Sequence, residues 1–176
     1  MKSRSFGIAV TAALSLFLLP TTYAQEAPLP AGTPAPAFAT RTVDGKPLSL
    51  KSLRGHVVLL DFWATWCGPC RIATPTLEAL HRKYGARGLR VVGLSVDDKS
   101  TVAQVKPTMK QLGITYTISA VPAVNGKAAA AYRVDGIPSQ YLIDKKGVVR
   151  WSQAGFAPGE GKSLGVLIQK LLAEKS

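Results

Sequence analysis

Cys67 and Cys70 are the two cysteines of this chain, and they stand in the run Trp66-Cys67-Gly68-Pro69-Cys70. Two thiols at this spacing can close a small disulfide and open it again. If the first sits at the mouth of a helix, the helix dipole and unpaired backbone N–H groups stabilise its thiolate. Its pKa then falls from about 8.5 towards neutrality, which makes it a competent nucleophile. The second thiol is held ready to attack any mixed disulfide that the first one forms. A purely structural bridge would enclose only Gly68 and Pro69 and would remove little entropy from the unfolded chain. A zinc centre needs four ligands, and His56 and His81 are the only histidines available to join the thiolates. The pattern favours redox catalysis with no metal and no bound cofactor.

Positioning such a pair requires a rigid strand that feeds a helix. Residues 57–63 form a near-continuous apolar run, the pattern of a strand buried on both faces, and they lead directly into the cysteine motif. From 69 to 84 the pattern is helical, with Ile72, Leu77, Leu80 and Tyr84 as inward positions and Pro75 as a kink. A second buried strand follows at 89–96, with Asp97 and Asp98 at its exit. Residues 101–112 read as a helix divided or weakened by Pro107, and 125–132 as a short alanine-rich one. Upstream, Asp44-Gly45 marks a hairpin between 38–43 and 48–50, and 52–55 a helical turn. Downstream, 140–144 and 148–153 flank a Lys145-Lys146-Gly147 turn as an antiparallel hairpin, and 161–172 closes the chain as an amphipathic helix. Alternating α and β segments of this kind predict an α/β domain with a central mixed sheet flanked by helices.

Composition narrows the setting. The chain has 176 residues, enough for one domain plus a targeting segment, and a formal net charge of +12. Its lysines and arginines are scattered without a basic arm, so nucleic acid is not an expected partner; a basic surface favours acidic partners or anionic membrane faces. Residues 1–24 read as a cleavable signal peptide: Lys2 and Arg4 precede an apolar stretch broken by Pro20, and Thr22-Tyr23-Ala24 offers a cleavage site. An uncleaved anchor is the rival, for which the stretch is short. Residues 25–36 are a flexible or extended Ala/Pro-rich lead-in, and 37–176 the folded domain. Export of this kind places the chain in the periplasm, where dithiols are readily oxidised.

The segment Asp61-Phe62-Trp63-Ala64-Thr65-Trp66-Cys67-Gly68-Pro69-Cys70 resembles the active-site segment of the thioredoxins, with Pro75 and Ile137-Pro138 matching that family's helix proline and cis-proline loop. The entry Pro34-Ala35-Pro36-Ala37-Phe38, the hairpin and the long segment before Pro138 are similar to the TlpA/ResA/DsbE branch of exported thiol:disulfide oxidoreductases. The resemblance implies a thioredoxin fold with an N-terminal β-hairpin extension and an insertion before the cis-proline loop. It implies that Cys67 attacks, that Cys70 resolves, and that Trp66, Gly68, Pro69, Ile137 and Pro138 form the docking face for a protein disulfide substrate. Asp61 interrupts an apolar strand; burial should raise its pKa, and the resemblance assigns it proton exchange with Cys70. Two positions depart from the pattern. Gly93 stands where thioredoxins carry a lysine beside the buried acid, and Ala73 stands where the ResA branch often has a glutamate. The expected activity is disulfide reduction by a monomer that a membrane electron donor re-reduces, on substrates such as apocytochrome c or copper-site proteins. Oxidase or isomerase activity is the alternative within the class. A copper metallochaperone is the alternative outside it, disfavoured by the lack of nearby Met or His ligands. A peroxiredoxin carries a threonine three residues before its cysteine, where this chain has Ala64.

Overall fold

In the computed structural model, which describes residues 27–157 and 159–175, the apolar run becomes β3 (Val57–Trp63), buried at every position. Strand β3 is central because two strands pair with it. It runs parallel to β4 (Leu89–Ser95) and antiparallel to β6 (Ser139–Ile143), in a five-stranded sheet of order β5-β4-β3-β6-β7. β5 (Thr117–Ser119) lies parallel beyond β4, and β7 (Val149–Ala154) lies antiparallel beyond β6. A separate hairpin, β1 (Ala39–Arg41) and β2 (Pro47–Ser49), precedes them.

Alternate residues of β3 serve two cores. Val57, Leu59 and Trp63 pack with α1 (Gly68–Tyr84), α2 (Val105–Leu112) and α4 (Glu160–Ala173) through side chains such as Leu77, Leu80, Val105, Leu164 and Ile168. Val58, Leu60 and Phe62 pack on the opposite face with Phe38, Leu48, Ala128 of α3 (Pro122–Ala131), Tyr132 and Tyr141. Full burial of each large apolar side chain contributes about 1.5–3 kcal/mol, so the two cores hold β3 rigidly from both sides. This is the thioredoxin fold expected from the motif, with β1–β2 as its N-terminal hairpin and α2, β5 and α3 between β4 and the cis Ile137–Pro138 bond.

Several local expectations change. Ile72 points outward, because the buried stripe of α1 runs through Cys70, Ala73, Leu77, Leu80 and Tyr84 at alternating spacings of three and four. The helix at 101–112 is divided as expected, but ahead of Pro107: a 3-10 turn, Val102–Gln104, precedes α2, whose first turn holds Pro107 where no amide hydrogen is needed. Gly113 ends α2 with φ 66°, a left-handed conformation that glycine adopts without steric cost. The three-residue β5 is too short to register as a periodic pattern; the Val43 amide donates to its Ile118 carbonyl and joins the hairpin to the sheet edge.

Over its described residues the Ala/Pro-rich lead-in makes a turn at Ala31–Thr33 and is tied down. Gly32 and Ala35 amides donate to Val149 and Gly147 carbonyls, Ser152 donates to the Leu29 carbonyl, and Leu29 is buried. The segment read as a signal peptide, residues 1–24, lies outside the described residues. Among the described residues no helix is long and apolar enough to cross a membrane.

Candidate active site

Strand β3 ends at Trp63, and four residues later the chain enters α1 with Cys67 as its N-cap. Cys67 and Cys70 form a disulfide with Cα atoms 5.3 Å apart. The Cys70 amide donates to Cys67 Sγ at 3.2 Å, so the helix terminus supplies an N–H to the position where a thiolate would carry its charge. Pro69 in the first turn gives up no backbone bond, since its N–H would have had no helical acceptor. No acidic side chain stands in that turn to oppose an anion on Cys67. Across the sheet end, the loop before β6 brings the Ile137 carbonyl oxygen to 3.7 Å from Cys67 Sγ. Trp66 is 63% exposed and Ile72 65% exposed, with Gly68 and Pro69 also open to solvent. Trp66 is therefore a surface residue beside the disulfide and not part of the core.

A second set of residues fixes the loop that carries Trp66. The parallel pairing of Trp63 with Ser95 brings the exits of β3 and β4 together. There the buried Asp97 carboxylate accepts from the Thr65 amide at 3.0 Å, the Thr65 hydroxyl at 2.6 Å and the Ser95 hydroxyl at 2.7 Å. Replacing Asp97 by alanine leaves three buried donors without an acceptor. We expect Asp97→Ala to lower stability by about 2–4 kcal/mol in urea unfolding of the oxidised protein, and to slow substrate reduction through a loosened loop. A loss below about 0.5 kcal/mol would mean that the loop is held by other contacts. Arg71 adds a weaker tie on the outside, with Nη2 donating to Gln111 Oε1 at 3.1 Å.

Asp61 lies in the middle of β3, 3% exposed, on the same sheet face as Leu59 and Trp63 and hence towards α1. Burial pushes its carboxyl up to about 7, and the facing Gln140 carboxamide acts against that rise. In β4 the residue in register with it is Gly93. A Cβ there would meet Ile118 Cδ1 at 2.4 Å and Trp63 Nε1 at 3.0 Å, so Trp63 and Ile118 fill the space that a lysine stem would need. The acid thus keeps no cationic neighbour on that side, and the reason is packing. Tyr116 completes the surroundings: burial first, and then nearby Asp61, hold its phenol well above the usual range.

Of the residues singled out in the sequence, Cys67, Cys70, Ile137 and Pro138 meet at one sheet end, with Trp66, Gly68 and Pro69 on the surrounding surface. Asp61 lies behind them in the core. Ala73 is buried on α1. The sequence places Asp97 at a strand exit but assigns no role to it, to Thr65 or to Gln140. The signal for Asp97 was its place two residues beyond a buried parallel strand, level with the loop before the cysteines. Among the described residues no group of three or more His, Cys, Asp or Glu side chains is placed to hold a metal ion.

This chain is similar to known proteins over most of its length. The AhpC/TSA family model matches residues 31–152. The thiol-disulfide oxidoreductase ResA of Bacillus cereus is 33% identical over 127 residues, which are 72% of this chain and 71% of that protein. The thioredoxin-like protein YneN of Bacillus subtilis is 32% identical over 127 residues, 72% of each chain. Among solved structures, a Chlorobium tepidum protein assigned as the thiol:disulfide interchange protein DsbE superposes with a TM-score of 0.75 at 34% identity, covering 82% of this chain and 99% of the other. A second thiol:disulfide interchange protein from Chlorobium tepidum gives 0.68 at 32% identity, covering 85% and 100%. With its disulfide at a helix N-terminus and its thioredoxin fold, the chain belongs to the AhpC/TSA family and is a thiol-disulfide oxidoreductase of the ResA/DsbE type.

Proposed function

We propose that this protein is a periplasmic disulfide reductase that works through a mixed disulfide on Cys67. The observation that carries the reading is the meeting of Cys67 with the Ile137–Pro138 loop: Cys67 Sγ lies 3.7 Å from a backbone carbonyl on a ledge where an extended substrate chain can lie against exposed Trp66. The Cys67 thiolate attacks one sulfur of a substrate disulfide and the other leaves as a thiolate. Cys70 then loses its proton and attacks Cys67 Sγ, so the substrate gains two electrons and the enzyme returns to the disulfide form. Asp61 accepts the proton of Cys70 during that second step.

The reducing direction rests on the Gly68-Pro69 pair, which is similar to that of thioredoxin-type reductants. Location outside the cytosol rests on the N-terminal sequence, and requires a membrane electron donor to keep the pair reduced. Cysteines of apocytochrome c or of copper-site proteins are fitting substrates, because they must be free thiols before metal or haem is attached. The test is the equilibrium of the Cys67–Cys70 pair with glutathione, read by mass spectrometry after acid quenching. A reductase gives a potential near that of thioredoxin, about −270 mV. A value near −120 mV, that of a strong oxidant, would reverse the assignment to disulfide formation.

A further inference from the structure

Three buried polar atoms near Asp61 have no hydrogen-bond partner within the protein: Asp61 Oδ1, Gln140 Nε2 and Trp63 Nε1. Their placement is set by the sheet. Gln140 of β6 is directly opposite Asp61 in the antiparallel ladder, and residues directly opposite point to the same face. Trp63 is two positions along β3 and shares that face too. The neighbours Leu142, Leu59 and Trp63 all join the core against α1, which confirms the side. An acceptor and two donors are therefore gathered in one apolar enclosure behind Cys70, where each unpaired group carries a desolvation cost. Glutamine is itself an unusual occupant here: Gln140 is 2% exposed within the run Ser139–Ile143, every residue of which is buried.

We infer that Gln140 is a positioning residue for the resolving step: its carboxamide, directly opposite Asp61 in the ladder, favours the ionised Asp61 carboxylate, in the role that a cation beside the acid would otherwise fill. The inference rests on the reading of Asp61 as acceptor of the Cys70 proton. A donor to the charged form favours ionisation, so Gln140 lowers the pH at which Asp61 is ready to accept. The other groups facing this enclosure do not supply that help. β4 presents Gly93, and α1 presents Cys70 and Thr74, whose hydroxyl is spent on the Cys70 carbonyl at 3.1 Å. Glu78 of α1 is bonded to Thr115 and Arg82 and carries like charge. Tyr116 is a neutral phenol at working pH. Trp63 Nε1–H offers a second neutral donor on the same face, and together the carboxamide and indole N–H groups replace one ammonium group.

The experiment compares the protein with Gln140→Met, which keeps the length of the side chain and removes both donors. Asp61 is followed by carboxyl carbon-13 NMR across pH in the oxidised state, and resolution of the Cys67 mixed disulfide by stopped-flow across the same range. Both titrations should move up by about one pH unit, and the stopped-flow rate at pH 7 should fall several-fold. In an Asp61→Asn background, Gln140→Met should change the resolving rate no further. An Asp61 titration that stays in place in Gln140→Met overturns the inference, even if the rate falls. A resolving rate that does not respond to Asp61→Asn refutes instead the proton role of Asp61, which separates the two failures. Should Gln140→Met not fold, Gln140→Leu provides the same comparison with a side chain suited to a buried strand.

Discussion

Cys67→Ser abolishes reduction of a protein disulfide, while Cys70→Ala permits one attack and then stalls with substrate bound. The asymmetry follows from the local geometry. Cys67 is the helix N-cap, receives the Cys70 amide, and faces the loop carbonyl of Ile137, so an incoming disulfide meets Cys67 first. Cys70 is one turn inside α1, 2% exposed and behind Cys67. Its attack is intramolecular, with an effective concentration that no external thiol matches. Without it, release depends on solution thiols and turnover falls by at least about 10³-fold. Dithiol-driven insulin reduction measures both variants. Equal residual turnover in the two would remove the ordered roles assigned here.

The second large effect belongs to Asp61→Asn, and it acts in opposite senses on rate and stability. Loss of the carboxylate removes the acceptor for the Cys70 proton and slows resolution by about 10²-fold at pH 7. Stability moves the other way. In the unfolded chain the carboxyl ionises near 3.8, whereas burial holds it up to about 7 in the fold. Between those values the unfolded state has released the proton and the folded state has not, so stability falls as pH rises and levels off above about 7. The gap costs about 4 kcal/mol at pH 8, and asparagine recovers most of it. Urea unfolding of the oxidised proteins should therefore show Asp61→Asn as the more stable form at pH 8, with the advantage fading towards pH 4. A variant that is less stable at pH 8 would mean that the carboxylate is paired in the fold.

The same acid illustrates what the sequence conveys and what it does not. A charged residue inside Val57–Trp63 announces a buried carboxylate, because nothing else in that run is polar and the strand feeds the cysteines. The strand itself, α1, β4, the closing hairpin and α4 are legible for a related reason: burial on both faces or along one stripe leaves a pattern in the residues. Partners across the ladder leave no such pattern. That Gln140 faces Asp61, and that Trp63 and Ile118 close the space over Gly93, depends on pairing between segments far apart in the chain. Asp97 was hidden in the same way, since its ligand Thr65 is joined to it by the parallel register of β3 and β4. Ile72 shows the converse error: its apolar character suggested the core, yet its phase on α1 puts it on the surface with Trp66.

First attack by Cys67 is tested by mixing reduced Cys70→Ala with a protein disulfide and digesting the product under acid conditions. One covalent adduct per enzyme is expected, with the substrate cysteine joined to Cys67 and stable until external thiol is added. Recovery of free Cys67 with no adduct, from a preparation whose wild-type counterpart reduces the same substrate, would contradict it.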